Sequence, residues 1–213
     1  EGIRGGKSLE QTEKTILSCM YVSGLNKNSV IELIKEKIIL SDSQINSKID
    51  ELISKQLVND DKNTLTEKGM NSLHIVLAGG VFDIIHPGHI STLNAAKALG
   101  DVLVVVVATD STAIKMKKKK PLHTQDQRKE LVNSLTMVDL CLIGHEGDMF
   151  KTVNQVRPQT IALGYDQTHQ EKFITEGCKR INLDAKVARL QSPIPDSSSS
   201  SIKKEYGDSI HGI

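Results

Sequence analysis

The segment from residue 74 to residue 99 constrains the fold more than any other part of the sequence. Four apolar residues, Ile75–Ala78, predict a short buried strand, and Gly79 and Gly80 then interrupt the apolar pattern. From His89 to Leu99, apolar residues recur at helical spacing. A strand, a glycine turn and a helix in this order are typical of an α/β protein with a phosphate site at the turn.

Two histidines, His86 and His89, open the predicted helix on either side of Pro87 and Gly88. Helix starts carry unpaired backbone N–H groups and partial positive charge, so they attract anionic phosphate. Pro87 excludes helical geometry at His86, and Gly88 permits unusual dihedral angles, so both imidazoles can be aimed at one point. Taken alone, such a pair more often caps a helix or binds a metal, but the rest of the sequence favours phosphate chemistry.

A lysine-rich segment, Lys115–Arg128, follows the predicted strand Val102–Ala108 and reads KMKKKKPLHTQDQR. Open α/β sheets bind ligands at the carboxyl ends of their strands, so these lysines are placed to neutralise a triphosphate. The alternative interpretation is a solvated charge run or a nucleic-acid patch. The position directly after the second strand favours phosphate binding.

Further apolar runs complete a predicted sheet. Strands are expected at Asp139–Ile143, Thr160–Leu163 and Ala185–Leu190, and helical segments separate them. This alternation calls for a parallel sheet with right-handed crossovers. We therefore predict a Rossmann-like domain over residues 73–213.

The segment GGVFDIIHPGH, residues 79–89, resembles the GxFDxxHxGH signature of the cytidylyltransferase-like nucleotidyltransferases. Two later segments are also similar to that family: TIALGYDQ, residues 160–167, and SSSSSIKKEY, residues 197–206. The resemblance extends over residues 73–205. It implies an enzyme that transfers a nucleoside monophosphate from a nucleoside triphosphate to a phosphorylated acceptor.

The same resemblance implies roles for individual residues. His86 and His89 are expected to meet the α and β phosphates in catalysis, and Lys117 and Lys119 the β and γ phosphates of the departing pyrophosphate. Mg²⁺ or another divalent cation is expected to accompany ATP, held largely through water. The implied nucleotide-binding residues are Gly79, Gly80, Val81, Phe82, Gly88, Gly164, Asp166, Ser198, Ser199 and Ser200.

Within that family, HPGHI, the AKALGD turn, the lysine-rich segment and IALGYDQ are most similar to members that join FMN to the AMP part of ATP. The expected products are FAD and pyrophosphate. A cytidylyltransferase acting on glycerol 3-phosphate or another alcohol phosphate is the first alternative. It is disfavoured because some cytidylyltransferases carry an arginine just before their VDxxI segment, where this chain has Thr136 and Met137.

The N-terminal third has a different pattern. Residues 1–8 are polar and glycine-rich, and we expect them to be disordered or artificially added. Residues 9–72 predict three short helices, Leu9–Val22, Asn28–Ile38 and Asp42–Lys55, then two strands around a polar turn at Asp60–Asn63. This order resembles a small winged helix-turn-helix domain.

The net charge of the N-terminal segment indicates whether it contacts DNA or protein. Residues 1–72 hold ten Lys or Arg against eleven Asp or Glu, a net charge of −1. DNA-binding domains normally present a basic surface, so we rank protein contact, such as homodimerisation, slightly above DNA binding. A second alternative function follows from this domain: a flavin- or nucleotide-responsive transcription regulator that binds an operator through residues 9–72.

Other sequence features exclude whole classes of protein. The longest apolar stretch, Val102–Ala108, is too short to cross a bilayer, and no signal peptide opens the chain, so we expect a cytoplasmic protein without membrane contact. The three cysteines, Cys19, Cys141 and Cys178, are scattered and form no CxxC pair. Neither a disulfide framework nor a protein-bound metal site is predicted.

Overall fold

The computed structural model describes residues 9–191, without the side chains at positions 165, 166 and 168, and also residues 202 and 204. The chain divides between Leu73 and His74 into two compact units. Apolar residues are buried in both: Ile16, Ile34 and Leu52 in the first unit, and the strands of a sheet in the second. Residues 1–8 lie outside the described part of the chain.

The first unit is built from short helices with well-defined starts. Its helices are α1 (Gln11–Asn26), α2 (Val30–Lys37), α3 (Asp42–Ser54) and α4 (Glu67–Asn71). The side-chain oxygens of Ser29 and Ser41 accept backbone N–H groups at the starts of α2 and α3, which satisfies donors that the helices leave free. The first three helices agree with the sequence prediction to within four residues at each end.

The segment predicted as two strands is shorter than expected. In the described residues it forms one antiparallel bridge, between Val58 and Leu65, around a turn that the carboxylate of Asp61 closes. The Thr66 hydroxyl caps α4, so the helix begins where the second strand was expected to continue. The predicted pair of strands is thus present only as this short pairing, with backbone bonds from Asn59 to Thr64 and from Thr66 to Leu57.

The second unit contains a five-stranded sheet in which every neighbouring pair is parallel. Its strands are β1 (Ile75–Gly80), β2 (Val102–Val107), β3 (Leu140–Ile143), β4 (Thr160–Leu163) and β5 (Lys186–Arg189). Nearly every residue of β2 is buried, as is typical of a parallel strand covered on both faces. The prediction of an α/β protein with a parallel sheet is confirmed.

The strand order is β3–β2–β1–β4–β5, so the chain winds outward from β1 in both directions. The helices are α5 (Pro87–Lys97), α6 (Asp110–Lys117), α7 (Gln125–Asn133), α8 (Met149–Val156) and α9 (Glu171–Arg180), and a 3₁₀ helix spans Tyr165–Gln170. In sheets of this order, ligands bind beyond the carboxyl ends of the strands where the winding reverses. That point lies between β1 and β4, at the carboxyl ends of both strands.

Candidate active site

The chain between β1 and α5 delivers the two histidines. His86 has an extended backbone, with φ −142° and ψ 167°, because the ring of the following proline disfavours helical geometry there. Helix α5 begins at Pro87, two residues before the predicted start, since a proline fits the first helical position. Gly88 and His89 thus lie in the first turn, and no side chain caps this helix start.

The imidazole rings of His86 and His89 are stacked at the start of α5. Their centroids are 3.8 Å apart and their planes are tilted by 36°. The ring of Phe82 lies 5.2 Å from that of His89 on a tilted plane. Among the described residues, neither buried Nδ1 atom has a hydrogen-bond partner, although such a group usually finds one.

Burial makes both imidazoles poor bases. It lowers the pKa of His86, and it lowers the pKa of His89 to about 4, with the nearby charges of His86 and Lys117 adding to the effect. Both rings are therefore neutral at pH 7, with one N–H each, and a backbone hydrogen bond with Ile84 partly offsets the lowering of the pKa of His89. The effect on His89 also indicates that Lys117, at the end of α6, lies near the histidine pair.

The lysines occupy the last turn of α6 and the segment that follows. Lys117 is the final residue of the helix, and Lys118 has a left-handed backbone, with φ 55°, that turns the chain away. Lys119 and Lys120 come next, and all these side chains are exposed. Of the two lysines predicted to bind phosphate, Lys117 therefore acts electrostatically on His89, whereas in the described part of the chain no contact links Lys119 to either histidine.

The two glycines at the end of β1, Gly79 and Gly80, differ in how much space their surroundings leave for a side chain. A Cβ on Gly80 would lie 2.8 Å from the Phe82 ring, whereas one on Gly79 would lie at an ordinary 3.6 Å from the carbonyl oxygen of Val106. Phe82 itself is buried and has a left-handed backbone, with φ 52°. Gly80 thus leaves room for the ring that packs beside His89.

The loop after β4 contacts the end of β1. The side chain of Gln167 donates to the carbonyl oxygen of Gly79 over 3.1 Å and accepts the N–H of Gly164 over 3.1 Å. Two predicted nucleotide-binding glycines, Gly79 and Gly164, are thereby brought together. The side chain of Asp166 and the residues Ser198, Ser199 and Ser200 lie outside the described residues.

Two buried charged residues near this site had no role in the sequence prediction. Asp83 is 7% exposed, and its Oδ1 accepts the N–H groups of Leu122 and His123 over 2.7 and 3.1 Å. The Nδ1 atom of His123 donates to the carbonyl oxygen of Asp83 over 2.8 Å. Leu122 and His123 of the lysine-rich segment are therefore bound directly to the histidine motif.

Arg128 is the second of these residues and is completely buried. Its guanidinium donates to the carbonyl oxygens of Val81 and His123 over 2.7 and 3.1 Å and to the Asp110 carboxylate over 2.7 Å. Planar guanidinium groups suit such multiple contacts. The position of an arginine in a polar helix gave no signal of burial, because its three acceptors come from three separate segments.

The described residues contain no group of three or more His, Cys, Asp or Glu side chains arranged to hold a metal ion. None of their helices is long and apolar enough to cross a membrane. At this edge of the sheet the described residues present neutral imidazoles, ammonium groups and backbone N–H donors. These groups suit the phosphates of a nucleotide.

The fold and the site together define an α/β domain with a phosphate-binding edge, of the kind that nucleotide-transferring enzymes use. The chain belongs to the cytidylyltransferase-like family, whose family model matches residues 77–205. This result confirms the family resemblance predicted from the histidine motif.

Similar proteins agree in this region. The chain is 48% identical over 134 residues to a FAD synthase of Aciduliprofundum boonei, a match that covers 63% of this chain and 80% of that protein. It is also 48% identical over 115 residues to a FAD synthase of Picrophilus torridus, covering 54% of this chain and 82% of the relative. A crystal structure described as a lipopolysaccharide core biosynthesis protein from Thermoplasma volcanium is 44% identical, with a TM-score of 0.54, and the match covers 56% of this chain and 98% of that one.

Proposed function

We propose that this chain transfers AMP from ATP to FMN, which yields FAD and pyrophosphate. The observation that carries the proposal is the pair of neutral imidazoles in contact at the start of α5, with Lys117 nearby. The two FAD synthases that are 48% identical to the chain support FMN as acceptor and ATP as donor.

The reaction is a displacement at the α-phosphorus of ATP. An oxygen of the FMN phosphate forms a new bond to that phosphorus, and the bond from the phosphorus to the α–β bridging oxygen breaks. Pyrophosphate leaves with the electron pair. Because a phosphate monoester is largely ionised at pH 7, no base is needed to activate it, and the protein contributes placement and charge stabilisation.

His86 and His89 are the proposed catalytic residues. Neutral imidazoles donate N–H bonds to the oxygens around the α-phosphorus as charge builds there, and loss of one such donor commonly costs about 100- to 1000-fold in rate. Lys117, with Lys119 as the proposed second ligand, neutralises the departing pyrophosphate. The backbone around Gly79, Gly80 and Phe82 would shape the cleft for the nucleotide.

A divalent cation would enter this site as part of the substrate. The described residues offer no cage of acidic side chains, so Mg²⁺ would be held mainly by ATP oxygens and water. We further propose that Asp166 and Ser198–Ser200 help to bind the ribose and phosphates.

The experiment is a matrix of donors and acceptors. The purified chain is incubated with Mg²⁺ and either ATP or CTP, each with FMN or glycerol 3-phosphate, and both pyrophosphate and the nucleotide product are measured. We expect FAD from ATP and FMN alone. A product from CTP and glycerol 3-phosphate, without FAD formation, would instead establish the cytidylyltransferase alternative.

For the N-terminal unit, residues 9–72, we propose a winged-helix-like domain that contacts protein and forms a homodimer. Four of its lysines are paired with carboxylates of the same unit, which leaves them less available to DNA phosphates. The pairs are Lys35–Asp42, Lys48–Glu51, Lys55–Glu13 and Lys62–Asp50. Light scattering of the whole chain tests the homodimer.

A regulatory role through DNA has its own test. A gel-shift series with DNA from the chain's own promoter, with and without FMN or ATP, would detect an operator complex that responds to ligand. We expect weak binding that the ligands do not change. Ligand-dependent binding at physiological salt would favour the regulator instead.

The cytoplasmic location expected from the sequence stays a prediction, and the use of ATP supports it.

A further inference from the structure

Within the lysine-rich segment, the stretch at residues 118–123 is anchored at both ends. At its start, the N–H of Lys118 donates to the carbonyl oxygen of Ile114 over 2.8 Å at the end of α6. At its far end, Leu122 and His123 donate their N–H groups to Asp83, in the loop after β1. Only the short stretch at residues 119–121 lies between these anchors, and it includes two exposed lysines.

Arg128 links the same segments from a buried position. It binds the carbonyl oxygen of Val81 after β1, the carbonyl oxygen of His123 in the lysine-rich segment, and the carboxylate of Asp110, the first residue of α6. Its side chain is fully buried, whereas the Asp110 side chain is 40% exposed, so only one end of this ion pair is shielded from solvent. A partly buried ion pair is weak support for stability alone, because desolvation offsets much of the attraction.

We propose that Asp83, His123 and Arg128 are positioning residues that hold the stretch at residues 118–123 at a fixed distance from His86 and His89. This inference rests on the proposed function, because it assigns the fixed segment to the triphosphate of the donor nucleotide. A lysine that is free in solution must be ordered by its ligand, at a cost in conformational entropy. The three residues would remove part of that cost before the nucleotide arrives.

His123 is the member that allows the sharpest test, because it is only partly buried and lies outside the core of the sheet. Its Nδ1 atom must carry a hydrogen, since the carbonyl oxygen of Asp83 can only accept. In His123→Asn the side-chain amide can still reach that carbonyl, whereas in His123→Gln the amide falls near the position of Nε2. His123→Ala removes both nitrogen positions.

Two measurements follow on the whole chain: calorimetric titration with magnesium ATP and with inorganic tripolyphosphate, and hydrogen exchange of residues 118–123. We expect His123→Ala to weaken binding of both ligands about fivefold, which corresponds to one hydrogen bond, and to speed exchange in this segment. His123→Asn should restore both properties, and His123→Gln should not. Asp126→Asn, an exposed carboxylate on α7, is the matched control.

A double-mutant cycle separates positioning from a general effect on folding. If His123 acts through the segment, combining His123→Ala with Lys119→Ala should weaken binding by clearly less than the product of the two single effects. Combining it with Lys115→Ala, inside α6, should give the simple product. Multiplicative effects with Lys119, or unchanged exchange in His123→Ala, would overturn the proposal.

The test also separates this inference from the proposed function. Binding and exchange are measured without FMN, so a chain that binds tripolyphosphate through the positioned segment but makes no FAD would contradict only the function. Restoration of binding by His123→Gln rather than His123→Asn would place Nε2 on the ligand itself. That result would overturn a positioning role for His123.

Discussion

The imidazole rings of His86 and His89 lie 3.8 Å apart at their centroids, in contact with each other rather than with a carboxylate. Two imidazolium ions at this separation would repel, and burial lowers the pKa of both rings. The pair is therefore neutral at pH 7, with one N–H on each ring.

Replacement of His89 should affect the chemical step far more than the fold. We expect His89→Ala to lower kcat for FAD formation by about 100- to 1000-fold, because a donor to the reacting phosphate is lost. His89→Gln retains an N–H donor and should lose less. Steady-state pyrophosphate release measures the rate, and circular dichroism checks the fold. Normal turnover by His89→Ala would remove its catalytic assignment.

The lowered pKa of His89 predicts a loss of stability in mild acid. In the unfolded chain the imidazole titrates near its usual pKa of about 6.5, whereas in the folded chain it titrates at about 4. Between these values the unfolded state binds more protons, so stability falls as the pH drops from 6.5 to 4. From pH 7 to pH 5 this group should contribute a loss of about 1 to 2 kcal/mol.

Urea denaturation of the wild type and of His89→Gln at the two pH values measures that contribution. The variant cannot titrate at this position, so its loss of unfolding free energy should be smaller by this amount. An equal pH dependence in both proteins would mean that His89 is not buried as described.

Removal of the charge on Lys117 should raise the pKa of His89. The lysine lies close enough to disfavour the imidazolium form, and Lys117→Ala eliminates that repulsion. An NMR titration of the His89 ring measures the change without substrate. Lys115→Ala, with an exposed lysine two residues earlier on α6, is the control and should shift the pKa less. Equal shifts of the His89 pKa in the two variants would contradict the position of Lys117 near His89.

The two glycines at the end of β1 should respond differently to alanine. Gly80→Ala places a methyl group 2.8 Å from the buried Phe82 ring, and we expect it to destabilise the fold by about 1 to 3 kcal/mol. Gly79→Ala meets only an ordinary contact with Val106 and should cost less. The free energy of unfolding in urea compares them. Equal losses of unfolding free energy would show that the Phe82 ring leaves room for a methyl group at residue 80.

The sequence predicted the sheet well because its strands carry their own signal. Parallel strands buried on both faces are short apolar runs, and β2 and β4 were found within one residue of their actual ends. The start of α5 was placed two residues late, because Pro87 was treated as a residue before the helix. The two strands expected around Asp60 are shortened to one antiparallel bridge, because the cap at Thr66 starts α4 directly after it.

The contacts of Asp83 and Arg128 were beyond prediction from local pattern. Asp83 binds backbone groups about 40 residues away along the chain, and Arg128 binds three segments that meet only in the folded sheet. An arginine in the polar helix α7 has the pattern of a solvated residue. The histidine pair, by contrast, was predictable because its members are local to one helix start, where proline and glycine restrict the backbone.

The fate of the α-phosphate tests the central claim most directly. The whole chain is incubated with Mg²⁺, FMN and ATP labelled either at the α- or at the γ-phosphorus. Transfer of AMP predicts that the α label appears in FAD, the γ label in pyrophosphate, and neither on the protein. Release of the γ label as inorganic phosphate, or an absence of labelled FAD while ATP is bound, would contradict it.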